Sequence, residues 1–417
     1  MDKLQLYFPV KILLIVSILI SIDFWSFLYW PNITFFSAFL FVVYIGFLCI
    51  TIKNYKDNFL DRTVKWTIIT VLLSIIPAMV DYGQDFYHTF RQCLNLIYGL
   101  FLYFVLKRTN FAVKSIFNII TIICIIWVFI EISQQFTYPS FWFSGRYLLF
   151  DDIEERMGLW RFYIWGVDFV MIAYAYWLSS ISIEKGMRKA KSILLMLIFL
   201  IGLLCYCSRK HIYTVLFILI IYGLSRKGKQ KYIALSILFL FFVILIVNFY
   251  SDWHDMNAEK DVSQGEGEDF IRVLEAVYFI TDFSDSPLYP IFGAGMEVEG
   301  SKLYKTIDYL SNMLGDMKGY YQADVGIIGY YSKFGLLGVS AILFYIGYFI
   351  KNWKYIDEWL KYFFIMKIIL ILFDFWAIWD VGIMAYSIFL YILDCNIRKN
   401  KSIALSVTHE NRFTNIS

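Results

Sequence analysis

Some dozen apolar stretches, most of them roughly 15 to 27 residues long, follow one another along this chain, and each is about as long as a helix must be to cross a bilayer. Backbone amides find no water in lipid, so such stretches satisfy their hydrogen bonds internally as helices, not as the alternating strands of a barrel. With 60% hydrophobic and only 17% charged residues, the 417-residue chain has too little polar surface for a soluble globular protein. The expected fold is an all-α polytopic membrane protein, a single transmembrane domain over residues 1–417. Hydropathy places twelve spans, at 9–30, 33–52, 66–80, 90–106, 111–132, 162–182, 192–207, 212–224, 232–250, 324–350, 362–379 and 381–396. The first is too long for a signal-peptide core and lacks a small-residue cleavage site, so it reads as a retained anchor. The six cysteines lie in or beside spans without the spacing of a disulfide framework or a zinc site, which leaves packing as their expected role.

Basic residues orient the map. With both termini cytoplasmic, the inner segments hold 24 of the 37 lysines and arginines, the outer segments hold 11, and Lys333 and Lys367 lie within spans. The outer exceptions are informative. Six of the twelve arginines fall outside (Arg91, Arg146, Arg156, Arg161, Arg209, Arg272), against only five of the 25 lysines. A guanidinium binds phosphate or carboxylate through a planar fork and keeps its charge where water is scarce. A pyrophosphate at the outer face is the simplest anion to explain this bias. The competing explanation is snorkelling to headgroups or pairing with Asp151, Asp152, Glu154 and Glu155.

Residues 251–323 form the one long polar segment, between the predicted ninth and tenth spans. Phe270, Ile271, Leu274, Val277 and Tyr278 fall at helical spacing, which predicts an amphipathic helix over 268–283 with Arg272 and Glu275 on its polar side. Leu303, Ile307, Leu310 and Leu314 make the stripe of a second helix, with Ser301 placed to cap its start and Gly315 to end it. Between them Pro287, Pro290, Gly293 and Gly295 predict a tight turn whose backbone can approach a ligand closely. The segment reads as a small cap over an outer cavity.

Three places in this chain resemble the Wzy-type O-antigen and capsular polysaccharide polymerases and their relatives, the O-antigen ligases. Cys207-Ser-Arg-Lys-His211 is similar to the "SR" that opens that family's carboxyl-terminal half. Arg272, followed by Pro-Ile-Phe-Gly-Ala-Gly295, resembles its loop arginine and "PLFGxG". Asp324-Val-Gly-Ile-Ile-Gly and Lys333-Phe-Gly-Leu-Leu-Gly338 look like the "DNGxL…xGxxG" that leads into the next span. Glu155-Arg-Met-Gly158 is a fourth, weaker match, to the arginine-glycine step of the smaller loop. The resemblance covers roughly 150–340. It implies a GT-C-like fold in a bacterial inner membrane. It also implies polymerisation of oligosaccharide repeat units carried on undecaprenyl pyrophosphate, with a flippase and a chain-length regulator as pathway partners, membrane lipid around it, and no nucleic acid. Ligases carry a histidine where this chain has Asp324, which favours polymerase over ligase.

Such a transfer breaks a sugar-phosphate bond and leaves a pyrophosphate whose charge fixed cations can stabilise. Arg156, Arg209, Lys210 and Arg272 are the expected pyrophosphate ligands, with no cofactor or metal, since no outer loop holds an Asp-x-Asp pair. The acceptor hydroxyl needs a proton acceptor, for which Asp324 and His211 are the candidates, although Asp324 is also placed to cap the helix that follows it. Tyr289, Phe292, Gly293, Gly295 and Tyr320 are the expected glycan contacts, set against the interfacial aromatic belts that any membrane protein carries. A ligase transferring glycan to a lipid A core and a flippase or other transporter are the alternatives.

Overall fold

The computed structural model describes residues 3–22, 24, 33–51, 57–140, 155–156, 158–162, 164–226, 236, 271–312, 320–371 and 380–414. In chain order these residues form α1 (Lys3–Ser21), α2 (Ile33–Ile50), α3 (Phe59–Leu73), α4 (Ile75–Val80), α5 (Phe86–Thr109) and α6 (Val113–Thr137). Two short strands, β1 (Glu155–Arg156) and β2 (Leu159–Trp160), precede α7 (Val167–Ile183), α8 (Gly186–Cys205) and α9 (Arg209–Ser225). Then come α10 (Ile271–Thr281), α11 (Tyr289–Phe292), α12 (Lys302–Asn312), α13 (Ile327–Lys351), α14 (Glu358–Leu370) and α15 (Asp380–Thr414). Four stretches, Phe59–Val80, Phe86–Thr109, Val113–Thr137 and Ile327–Lys351, are long and apolar enough to cross a membrane, and Tyr7–Ser21, Ala38–Ile50 and Val167–Ile183 are shorter apolar helices. This is a helical membrane protein. Each predicted span except the ninth overlaps a described helix. The ninth lies almost wholly outside the described residues, as do 251–270 and 313–319 of the predicted cap.

Local chemistry sets the helix ends. Asn58 and Asp61 make a reciprocal capping box at the start of α3, Asp85 caps α5, and Asn110 ends α5 in the left-handed conformation. At Ser74 the backbone breaks step, so the predicted span over 66–80 is two helices end to end.

Buried polar pairs then fix which ends lie together. Lys107 on α5 sits 2.7 Å from both Asp61 on α3 and Asp394 on α15, and the Tyr103 hydroxyl donates to Asp61 at 2.9 Å. At that same end Arg226, just past α9, pairs with Glu358 on α14. At the other end Lys367 on α14 pairs with Asp168 on α7, and the Ile327 N–H at the start of α13 donates to the Ile371 carbonyl. Since α9 runs antiparallel to α14, Arg209 comes to the end where α13 begins.

Above that second end, α10, α11 and α12 close around a small core of Phe279, Phe283, Tyr289, Ala294, Leu303 and Val325. The α12 prediction is met over the described residues: Leu303 is buried, Ile307 and Leu310 pack on the same core, and Ser301 accepts the Tyr304 N–H, while Leu314 and Gly315 lie outside the described residues. For α10 the expected orientation is met at Tyr278, which packs on this core, and overturned on the rest of the described stripe. Glu275 is only 2% exposed, whereas Val273, Leu274, Val277 and Ile280 are 40–50% exposed. Apolar residues need not turn inward on a helix lying at a bilayer surface, where lipid covers them and the protein-facing side is free to carry polar groups.

Candidate active site

The cap is locked to the membrane helices by backbone. The Ala294 N–H donates to the Ser332 carbonyl at 2.8 Å and the Gly295 N–H to the Lys333 carbonyl at 3.0 Å. α13 is broken at Gly335, with φ 61° and ψ −163°. A Cβ on Gly293 would lie 2.3 Å from the Lys333 carbonyl carbon, and one on Gly335 would lie 2.3 Å from that of Ile291. The two glycine motifs therefore interlock, each supplying the gap the other's backbone fills. Gly295 closes in the same way on the Ser74 carbonyl of the α3–α4 break. The close approach expected at Gly293 and Gly295 is made to protein backbone and not to a ligand. Tyr289 is likewise committed, buried with its hydroxyl donating to the Phe279 carbonyl. Of the expected glycan contacts, Phe292 and Tyr320 remain half-buried, with the Tyr320 ring 5.6 Å from that of Tyr278.

The interlock fixes what lies on either side of it. Lys333, buried inside α13, forks onto both carboxylate oxygens of Glu297 at 3.0 and 3.1 Å. Burial opposes ionisation of Glu297, but the Lys333 charge and the hydrogen bonds it receives outweigh burial and hold it below the usual carboxylate range. Residues 322–325 form a 3-10 turn over the start of α13, where Gly329 alone lets the Gln322 carbonyl pass. Gln322 donates to the Ser332 hydroxyl at 2.9 Å. Gly326, not Asp324, is the residue that begins α13, and no side chain caps it, so Asp324 is free of the capping role its position suggested.

That turn brings two predicted residues together through a third. The Tyr321 N–H donates to Glu275 Oε1 at 3.1 Å, and Glu275 Oε2 is buried without a hydrogen-bond partner among the described residues. Glu275 is pushed up to about 7. Burial is the main cause, the Tyr321 N–H opposes it, the Asp324 charge adds to it and the Arg272 charge offsets part of it. Arg272 and Asp324, 52 positions apart in sequence, thus act on one buried carboxyl. Sequence reasoning had Glu275 in view as a solvent-facing neighbour of Arg272 but not as a site residue. Its only signal was an acidic residue one turn from the arginine. Lys333 and Glu297 were not foreseen as a pair.

The remaining predicted residues stand at the same end of the bundle on other elements. Arg209, Lys210 and His211 open α9 after a tight turn in which Cys207 takes φ 52°. His211 is buried, with Nδ1 2.8 Å from the Ser208 hydroxyl and its ring edge-on to Tyr206. Arg156 lies in the β1–β2 hairpin, where Gly158 supplies the positive φ of the turn. Gln135 on α6 grips that hairpin, accepting the Trp160 N–H at 2.8 Å and donating to its carbonyl at 2.7 Å. Gln135 Nε2 also lies 3.5 Å from the Cys205 carbonyl at the end of α8, so the hairpin carrying Arg156 is seated beside the turn that carries Arg209.

No protein-family model matches this chain, and no curated protein matches it in sequence. The class defined by fold and site is a helical membrane protein that carries a small cap locked by backbone onto one end of its bundle.

Proposed function

We propose that the protein is a polysaccharide polymerase of the Wzy type, with a GT-C-like bundle of twelve spans in a bacterial inner membrane and both termini in the cytoplasm. It transfers a growing glycan from undecaprenyl pyrophosphate to the non-reducing end of the next lipid-linked repeat unit. The observation that carries this reading is the convergence of Arg272, Asp324 and Glu275 within a cap held by backbone hydrogen bonds to the bundle. A carboxyl that titrates near neutrality is suited to take the proton of an acceptor hydroxyl, since it gives it up and regains it at little cost. Arg272 beside it, with Arg209, Lys210 and Arg156 at the same end, supplies cations for the departing pyrophosphate. Glu275 thereby joins Asp324 and His211 as a candidate proton acceptor, and His211, already engaged by Ser208, is the weakest of the three.

The test is elongation by purified protein in nanodiscs with a synthetic lipid-pyrophosphate repeat unit. Arg272→Ala and Arg209→Ala are each expected to lower kcat by about a hundredfold or more, and Glu275→Gln to remove the rise in rate through pH 7. Wild-type elongation by both arginine variants would refute the cation assignment. A transporter is the second reading, favoured by Glu131, which is fully buried on α6 with neither carboxyl oxygen hydrogen-bonded to a described residue. Intramembrane carboxyls of that kind often line ion pathways.

A further inference from the structure

The exposed faces of the cap differ in chemistry from one helix to the next. Among the described side chains, those exposed on α12 are Lys302, Tyr304, Lys305, Asp308 and Tyr309, a face suited to water. Those exposed on α10 are Val273, Leu274, Val277, Ile280 and Thr281, and none carries a charge. The four apolar ones fall at i, i+1, i+4 and i+7, so they form one contiguous stripe along the helix, of the kind that a partner covers. The opposite side is committed to the protein, since Phe279 is fully buried in the cap core and Glu275 accepts the Tyr321 N–H. With 11 residues α10 is roughly 16 Å long, too short to cross a hydrocarbon layer of about 30 Å. A short helix with one apolar side and one protein-bound side lies flat along whatever covers it.

The neighbouring helix identifies that cover. α10 packs on α13, which is long and apolar enough to cross a membrane. Past the break at Gly335, the exposed residues of α13 up to Ile350 are Leu336, Leu343, Phe344, Gly347 and Ile350, again without a charge. Leu336, Leu343 and Ile350 recur every second turn on one side, 57–62% exposed, as expected of the lipid-facing side of a span. At the cap end that side does not stop at Leu336. Gly335, the residue before it, abuts the backbone of Ile291 on α11, and Ile291 is itself exposed. The cap's apolar exposures thus lie on α10 and α11, the helices that rest on α13, and its charged ones on α12.

We propose that the partner of this surface is the bilayer itself: α10 lies along the membrane at the cap end of the bundle, with Val273, Leu274, Val277 and Ile280 among phospholipid acyl chains just below the headgroups. The lipid-facing side of α13 then continues through Ile291 onto the cap, which is seated in the leaflet and not raised above it. Because the stripe is uncharged, its contact is with acyl chains and not with headgroup phosphates. Glu275, on the far side of α10, is then one helix diameter, ~10 Å, from the acyl region. The proposal does not depend on the polymerase reading.

The experiment uses the full-length protein in nanodiscs of phosphatidylethanolamine and phosphatidylglycerol, with a photoreactive benzoylphenylalanine at one position at a time. Val277→benzoylphenylalanine probes the α10 stripe, and Tyr309→benzoylphenylalanine probes the exposed face of α12. After irradiation, proteolysis and mass spectrometry identify what each ketone has bonded to. Expected is a phospholipid adduct on the α10 peptide in at least tenfold higher yield than on the α12 peptide, because the excited ketone captures acyl C–H bonds and returns unreacted from water. A bond from the Val277 position to a peptide of this chain, in the same or a second copy, would overturn the proposal. So would the absence of any adduct there, or lipid adducts in equal yield at the two positions. Leu274→benzoylphenylalanine gives the same readout if thermal unfolding shows that the Val277 variant does not fold.

Discussion

Glu275→Gln isolates the electrostatics of the cap in a single change. In the folded protein this carboxyl is raised from 4.5 to about 7, chiefly by burial. Each unit is worth about 1.36 kcal/mol, so ionising Glu275 weakens the folded state by up to about 3 kcal/mol. Between these two values the folded state holds a proton that the unfolded chain has released. The stabilisation is therefore complete below about 4.5 and lost as pH rises through about 7. The substituted amide keeps an acceptor for the Tyr321 N–H and has no proton to lose. Thermal unfolding followed by tryptophan fluorescence, from pH 4 to pH 9, should show the two proteins close together at the acid end. The variant should become more stable by a few degrees at the alkaline end. Every other ionisable group is common to the two proteins, so the difference between the curves isolates Glu275. Two curves that stay parallel over the whole range would refute the reasoning. The neighbours give the sign of two further shifts: Asp324→Asn should move the midpoint of the pH dependence down, and Arg272→Ala should move it up.

Gly293→Ala and Gly335→Ala each drive a Cβ into backbone 2.3 Å away at a positive φ, so each should destabilise by more than about 2 kcal/mol; Gly300→Ala, at φ 77° with open space around it, should cost only about 1 kcal/mol, all measurable by thermal unfolding. Lys107→Met leaves Asp61 and Asp394 buried without their shared cation and should destabilise by about 3–5 kcal/mol, with partial rescue by Asp61→Asn in the same assay.

Hydropathy placed spans that overlap a described helix everywhere but at the ninth, because a lipid-facing helix must be apolar for its whole crossing whatever it packs against. The glycine motifs were legible as close approaches, but not their partner. Gly293 and Gly335 each need another backbone at short range, and nothing in either motif says that each is the answer to the other. The α10 orientation was not legible for a different reason. A hydrophobic stripe reports the side that avoids water, and in a protein with two apolar surroundings, core and lipid, the stripe of Leu274 and Val277 does not choose between them. Placing that stripe inward put Glu275 in water and hid its burial. The nearness of Asp324 to α10 was not legible either, since the separation is closed by the 322–325 turn and no sequence spacing records it.

The interlock also decides how the cap can act. Hydrogen bonds from Ala294 and Gly295 to the carbonyls at the α13 break, with no side chain between the two backbones, allow little rotation of one body against the other. Gly295 adds a second fixed point, against the α3–α4 break, so the cap is held by two membrane helices and not by one hinge. A cap held in this way keeps Glu275, Asp324 and Arg272 at set separations whether or not substrate is bound. Fixed separations are what charge stabilisation requires, because dipoles and ions already in place need not reorganise as charge moves. On the proposed function, a long glycan would then enter from beside the cap, along the side where α10 presents Val273, Leu274, Val277 and Ile280 outward. If a cysteine pair were used to staple α11 to α13 across the interlock, activity should survive the crosslink. A lid that had to open would instead be silenced by it.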